Sequence, residues 1–344
     1  MLCLTIRCMS LTSELNDSNS PLSRFMAREL PATSRITGNV RSRLPLRPRT
    51  VTPQAAQRPD YRSLGRAIDR RLRIAFGSPV DSVLLEGAFY AGIDVAEVAT
   101  RAAGQAVHGI GQTLLSELKA QPAAHDGTMT RSRRDEERLS RLCFAASHFE
   151  EVKRAGFRPG NPLLQLDARA VLDDLLDQVP SYVPDDIAAQ VELAEADHAL
   201  GWVTRQPVDK RICAPVFSGS NDVDGADADF IAEGHLIDCK ATTRPDRFGS
   251  RKEVHQLAGY LLLDYQDEYA LDKVGFYLSR QGQLVTWSTQ EFLDLLGARR
   301  SLSELRAALS QTLRTPALAA PPQREKLPPH ATQDSLFDEE GDTE

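Results

Sequence analysis

Alternating apolar and polar positions predict a β-hairpin in the second half of the chain. Glu233-Gly234 suits a two-residue turn between the strands, because glycine tolerates a positive φ. Pairing about this turn places Phe230 opposite Ile237 and Asp229 opposite Asp238. One face of the hairpin then carries the charged residues Asp227, Asp229, Asp238 and Lys240. The other face carries the apolar residues Ala228, Phe230, Ile237 and Cys239, and we expect it to be core.

The pattern around the hairpin predicts a mixed α/β core over residues 206–314. Residues 211–217 read as a first strand, and residues 253–265 have the length and composition of a helix. Two further strands are predicted at residues 272–279 and 283–287. A closing helical segment is expected over residues 294–313, so the order is strand, hairpin, helix and two strands.

The first 205 residues divide by composition into an irregular part and a helical part. Residues 1–60 are rich in Ser, Pro and Arg and are predicted to be disordered, with Met26 as an alternative start. Residues 61–205 are predicted to be mainly helical and to pack on the core. Thirteen arginines lie between Arg24 and Arg73. They suit a phosphate-binding arm and an ordinary solvated tail equally well.

Composition adds a broad class to this outline. The chain has 344 residues, 41% hydrophobic and 26% charged, with a formal net charge of −7, which is ordinary for a globular protein. No run approaches the roughly 18 apolar residues that cross a membrane. The five cysteines are scattered, with no C-x-x-C pair, so we expect reduced thiols, a cytoplasmic location and no iron–sulfur cluster.

The acidic face of the hairpin is the main candidate for chemistry. Directly opposed strand residues have Cβ atoms roughly 5 Å apart, so Asp229 and Asp238 would repel each other without a cation between them. Carboxylate oxygens at this spacing suit Mg²⁺ or Mn²⁺. A solvated hairpin face explains the alternation equally well, but it does not explain why the acids gather at the end away from the turn.

Together these residues resemble the PD-(D/E)XK nuclease superfamily, specifically its RecB-like exonuclease branch. Asp229 resembles the first acid of the motif, Asp238 and Lys240 resemble its Asp-x-Lys, and Gln256 and Tyr260 resemble the Gln-x-x-x-Tyr of the branch. The resemblance covers roughly residues 205–297. It implies a restriction-endonuclease-like fold, in which helices flank a mixed central sheet.

The resemblance also implies a role for each residue. Asp229, Asp238 and the backbone carbonyl of Cys239 would bind Mg²⁺ or Mn²⁺. Lys240 would position the attacking water or offset negative charge. The resemblance gives Gln256 and Tyr260 the task of orienting the substrate or the water.

The resemblance leaves the remaining acids open. Asp227 competes with Asp229 for the first acidic position, and the inferred strand register favours Asp229. The family often has another acid or a histidine on an early helix, and Asp69 is favoured here because Gly65 precedes it. Other candidates for that position are Glu86, Glu192 and Glu195.

The function implied is a Mg²⁺-dependent deoxyribonuclease acting in DNA repair, recombination or defence. The sequence does not distinguish DNA from RNA as substrate, or cleavage at ends from internal cleavage. An alternative is a catalytically inactive nuclease fold that binds nucleic acid or serves as a scaffold. A third is an unrelated α/β adaptor recruited through its tail.

Residues 315–344 are predicted to be a disordered acidic tail. Within the tail, the sequence from Gln333 to Phe337 resembles the Gln-x-Ser/Asp-Leu-Phe peptide by which bacterial replication and repair proteins bind the sliding clamp. Leu336 and Phe337 would be its two apolar anchors in the partner's pocket. A chance pentapeptide in a biased tail remains the alternative.

Overall fold

A five-stranded mixed sheet forms the centre of the described chain. The structure, a computed structural model, describes residues 10–45, 48–196 and 198–315. The strands follow one another in sequence order across the sheet, and the pairing is antiparallel except between the third and fourth strands. They are β1 (Arg211–Cys213), β2 (Phe230–Ala232), β3 (His235–Lys240), β4 (Lys273–Leu278) and β5 (Gln283–Ser288).

Helices flank this sheet, so the predicted mixed α/β class is confirmed. In the described residues they are α1 (Leu11–Asn16), α2 (Pro21–Glu29), α3 (Thr33–Arg43), α4 (Tyr61–Ala75), α5 (Ser82–Val98), α6 (Arg101–Lys119), α7 (Arg133–Ala155), α8 (Leu172–Asp177), α9 (Tyr182–Ala194), α10 (Arg251–Leu263), α11 (Thr289–Leu296) and α12 (Leu302–Arg314). Helix α10 connects β3 to β4, as parallel neighbours require. None of the described helices combines the length and apolar character needed to cross a membrane.

The predicted hairpin register is confirmed over β2 and β3. Phe230 pairs with Ile237, and both turn residues have positive φ, 47° at Glu233 and 72° at Gly234. One face assignment is wrong, because Ala228 lies in the core on the opposite side of the sheet from Phe230. The strand alternation does not extend back to Ala228, since β2 begins only at Phe230.

Helices α4 to α9 cover one face of the sheet, which confirms the prediction of a helical region from residue 61. Their apolar side chains share a core with Phe230, Ala232 and Ile237 from the sheet. The predicted stripe of α4 is buried there, with Leu64, Ile68, Leu72 and Phe76 at most 2% exposed. The β-hairpin and the helical region therefore belong to one folded unit.

The prediction that residues 1–60 are disordered is wrong for the described part of that segment. Helices α1 to α3 pack on the other face of the sheet, together with α10, α11 and α12. Ser10 and Ser20 cap the first two helices, and Leu22 and Phe25 are fully buried. The high content of Ser, Pro and Arg concealed these caps and short apolar stripes.

The closing segment is helical, as predicted for residues 294–313. It consists of two helices, since α11 ends at Leu296 and α12 begins at Leu302. Gly297 ends α11 with φ 78°, a left-handed conformation that glycine adopts without strain. Residues 316–344, which include the predicted clamp peptide, lie outside the described residues.

Candidate functional site

Asp238 and Lys240 lie two residues apart on β3, so their side chains point to the same face of the sheet. Lys240 Nζ is 2.7 Å from Asp238 Oδ2, and Asp238 is 1% exposed. Apart from Lys240, no donor among the described residues bonds to this oxygen. The predicted Asp-x-Lys pair is therefore a buried ion pair.

Helix α10 brings Gln256 and Tyr260 to the same place. Lys240 Nζ donates to Gln256 Oε1 at 3.3 Å, and Gln256 Nε2 donates to the hydroxyl of Tyr260 at 2.8 Å. Gln256 and Tyr260 are four positions apart, so their side chains lie on one face of the helix. The four residues form a continuous chain of polar contacts from β3 to α10.

Asp229 reaches the same site from the residue just before β2. Its Oδ2 accepts a hydrogen bond of 2.6 Å from the backbone N–H of Cys239, and its Oδ1 is 3.4 Å from Arg73 Nη2. The side chain of Cys239 packs against the core of the helical region instead. Burial raises the pKa of that thiol well above its ordinary value, which suits a core residue.

Asp69 enters the site from the opposite wall, on α4. Arg73 Nε lies 2.8 Å from Asp69 Oδ2, so one guanidinium group contacts both Asp69 and Asp229. Asp227 also lines the site, but Arg154 pairs with it at 3.3 Å. A methyl group on Gly65 would meet nothing closer than Ala241 Cβ at 4.0 Å, so sterics do not require glycine there.

The carboxyl groups of Asp69, Asp229 and Asp238, here called the acidic cluster, are costly to keep ionised. Burial is the largest cause and raises the pKa of each. The charge of Asp238 raises the pKa of Asp229 further. The pKa of Asp69 reaches about 7, because burial and the charge of Asp229 outweigh the opposing effect of Arg73.

Lys240 shows the opposite balance of effects. Burial alone would lower the pKa of its ammonium group, but the charges of Asp238 and Asp229 outweigh burial and raise that pKa. Lys240 is therefore held as a cation at neutral pH. The site combines crowded carboxylates with a fixed positive charge, an arrangement typical of functional sites.

The acidic cluster has the ligand type, but not the arrangement, of a site for a hard divalent cation. Carboxylate oxygens are the ligands that Mg²⁺ prefers, and a cation would relieve the repulsion that raises the three pKa values. Within the described residues, no set of three or more His, Cys, Asp or Glu side chains is arranged as a preformed metal site. Arg73 and Lys240 provide the positive charge beside these carboxylates in the structure.

These groups line a cleft of about 530 Å³ between α4 and α10. Every predicted hairpin and helix residue of the site lies in it, as do Asp69 and Asp227. The other candidate acids, Glu86, Glu192 and Glu195, do not line the cleft. Sequence analysis missed several charged lining residues of the helical region, namely Arg62, Arg66, Arg73, Glu150 and Arg154. The sequence pattern could have indicated Arg62, Arg66 and Arg73, since these residues of α4 lie on one helical face together with Asp69.

Helix α4 is held in place by buried ion pairs that sequence analysis read only as basic composition. Arg73 Nη1 and Arg70 Nη2 lie 2.9 Å and 3.0 Å from Asp81 Oδ2, and Asp81 also caps α5. Arg70 additionally contacts Glu150 of α7, with Nε at 3.1 Å. These arginines are almost fully buried, so they are not part of a solvated arm.

No family model, no curated protein and no solved structure matches this chain. The geometry and chemistry of the cleft are therefore the basis for assigning a function. The predicted clamp-binding residues Gln333, Leu336 and Phe337 lie outside the described residues, so their role stays a prediction.

Proposed function

We propose that the protein is a metal-dependent nuclease that hydrolyses DNA phosphodiester bonds. The observation that carries this proposal is the meeting of Asp229, Asp238 and Lys240 with Gln256 and Tyr260 in one cleft. These five residues come from separate parts of the chain. The order of β1 to β4, with α10 as the parallel crossover, supports a restriction-endonuclease-like core.

In this proposal Asp229 and Asp238 hold a divalent cation, Mg²⁺ or Mn²⁺, with help from the backbone carbonyl of Cys239. Asp69 is the favoured additional acid, because it faces the same cleft from α4. When bound, the ion would lower the pKa of a coordinated water and offset phosphate charge. Asp238 Oδ2 is paired with Lys240 Nζ at 2.7 Å, so an ion bound there would share Asp238 with Lys240.

Lys240 is the residue best placed to stabilise negative charge on the phosphate. Asp238 and Gln256 hold its ammonium group from two sides, so it needs little reorganisation when charge develops. Tyr260 fixes the amide of Gln256 and thus the direction of Lys240 indirectly. Removing a preorganised charge of this type costs about 10²–10³ in kcat.

The test is Mg²⁺-dependent cleavage of labelled linear and circular DNA by the purified full chain. We expect Lys240→Ala and Asp238→Asn to lose cleavage while keeping the circular dichroism spectrum of the wild type. Lys119→Ala removes an exposed lysine at the end of α6 and should cleave like the wild type. Undiminished cleavage by Lys240→Ala would overturn the assignment.

The substrate panel also separates the alternatives. Cleavage of circles would identify an endonuclease, and cleavage of linear DNA alone an exonuclease. Binding without cleavage would favour the inactive nucleic-acid-binding or scaffold module. Repair, recombination and defence are the processes in which such an activity would act.

A further inference from the structure

A second cavity adjoins the cleft of the acidic cluster. It has a volume of about 620 Å³ and lies between the start of α4 and the end of α7. Arg62 lines both this cavity and the cleft, so the two are neighbours along α4. The other basic residues of the second cavity are Arg58 and Arg158.

One face of α4 leads from this cavity to the acidic cluster. Arg62, Arg66, Asp69 and Arg73 follow the spacing i, i+4, i+7 and i+11, which places them on one side of the helix. Arg62 and Asp69 are seven residues apart, a rise of about 10 Å.

The acids of the second cavity already have partners. Asp60 caps α4, accepting from the backbone N–H groups of Arg62 and Ser63 at 3.1 Å each and from the hydroxyl of Ser63 at 2.7 Å. Glu151 lies 3.2 Å from Arg158 Nε and 4.0 Å from Arg66 Nη1. Asp60 keeps its negative charge, because its donors are neutral, but the three arginines of the cavity still outnumber its two carboxylates by one.

Two guanidinium groups at this cavity form no ion pair with a carboxylate of the described residues. Arg58 and Arg62 are both exposed, and no carboxylate among the described residues pairs with either side chain. The inner arginines differ, because Arg73 and Arg154 are paired with Asp69 and Asp227. The outer cavity therefore presents positive charge to solvent, whereas the inner cleft concentrates carboxylates.

We infer that the second cavity is a phosphate-binding subsite for the polynucleotide strand whose scissile bond lies at the acidic cluster. In this inference, Arg58 and Arg62 contact backbone phosphates of nucleotides that flank that bond. This inference rests on the proposed nuclease function for the position of the bond. The phosphate contacts themselves require only that the protein binds a polynucleotide.

The test is the affinity of the full chain for a fluorescein-labelled single-stranded oligodeoxynucleotide, measured by anisotropy in EDTA across a range of salt concentrations. Each phosphate contact with a single strand contributes about 0.7 to the salt slope, which is about fivefold in affinity near 0.1 M salt. The double variant Arg58→Ala/Arg62→Ala should bind about 25-fold more weakly, with a slope reduced by about 1.4. Arg299→Ala removes an exposed arginine that lines neither cavity and should bind like the wild type.

A double variant with the affinity and salt slope of Arg299→Ala would overturn the subsite, even if the wild type cleaves DNA. A wild type that cleaves nothing but loses affinity in the double variant would contradict the nuclease function and support the subsite. Substrate length gives a second readout. A dinucleotide too short to reach the second cavity should be cut equally by the wild type and by Arg58→Ala, because Arg58 lines only that cavity. The KM of Arg58→Ala for a long strand should be higher than that of the wild type.

Discussion

Asp69→Asn is expected to stabilise the folded protein while impairing its proposed activity. The pKa of Asp69 is about 7 in the folded chain and 3.8 for the free side chain. Each pKa unit of that difference corresponds to about 1.4 kcal/mol. Ionised Asp69 therefore lowers the free energy of unfolding by up to about 4 kcal/mol above pH 7. The side chain keeps 24% of its surface exposed, so water screens part of this cost. We expect Asp69→Asn to raise the free energy of unfolding by about 1–3 kcal/mol at pH 8.

The stabilisation expected from Asp69→Asn increases with pH. A raised folded pKa means that the folded chain binds more protons than the unfolded chain between about pH 4 and pH 7. The stability of the wild type therefore falls as the pH rises through that window, and the asparagine variant escapes this loss. The gain should be largest at pH 8, smaller at pH 5 and absent below pH 4.

The assay is urea unfolding of both proteins in EDTA at pH 5 and pH 8, followed by circular dichroism. Asp209→Asn removes one exposed negative charge outside the acidic cluster and serves as the control. A variant that is less stable than the wild type at pH 8 would refute the reasoning. It would mean that the pair between Asp69 and Arg73 stabilises the fold by more than burial and Asp229 cost it.

Three further predictions concern the support of the site, the N-terminal helices and the tail. Tyr260→Phe removes the hydroxyl that accepts from Gln256, so kcat for DNA cleavage should fall about fivefold, and an unchanged kcat would contradict this role. Leu11→Ala should lower the free energy of unfolding in urea by about 2–5 kcal/mol, because Leu11 is buried against α10. The exposed control Ser18→Ala should change it by less than about 0.5 kcal/mol, and equal effects would mean that α1 does not contribute to the fold. Phe337→Ala should abolish pull-down of a bacterial sliding clamp, whereas no binding by the intact chain would end the clamp hypothesis.

The local sequence pattern was sufficient to predict the β-hairpin and helix α10. The two positive-φ residues at Glu233-Gly234 and the pairing of Phe230 with Ile237 follow from a period of two and a turn that needs glycine. The two-residue alternation did not predict the position of Ala228, because β2 begins only at Phe230 and Ala228 precedes it. The predicted helix that carries Gln256 and Tyr260 also formed within two residues of its expected start.

Composition was a poor guide to the N-terminal segment. Ser, Pro and Arg suggested disorder, yet Ser10 and Ser20 are helix caps and Leu11, Leu22 and Phe25 fill a core. Short helices of six to eleven residues give weak periodic signals. Their stability comes from packing on a sheet that lies about 200 residues later in the chain.

The sequence by itself determined the hairpin, the Asp-x-Lys pair and the Gln-x-x-x-Tyr face, because each depends on residues that are close together in the chain. Only the tertiary structure decided that Asp69 and Arg73 face Asp229 across a cleft. That contact spans about 160 positions and depends on how the buried ion pairs of Asp81 and Glu150 orient α4. The same packing turned part of an arginine-rich stretch into structural ion pairs and left Arg58 and Arg62 facing solvent. The buried, ion-paired arginines of α4 therefore differ from Arg58 and Arg62 in burial and in ion pairing, not in residue type.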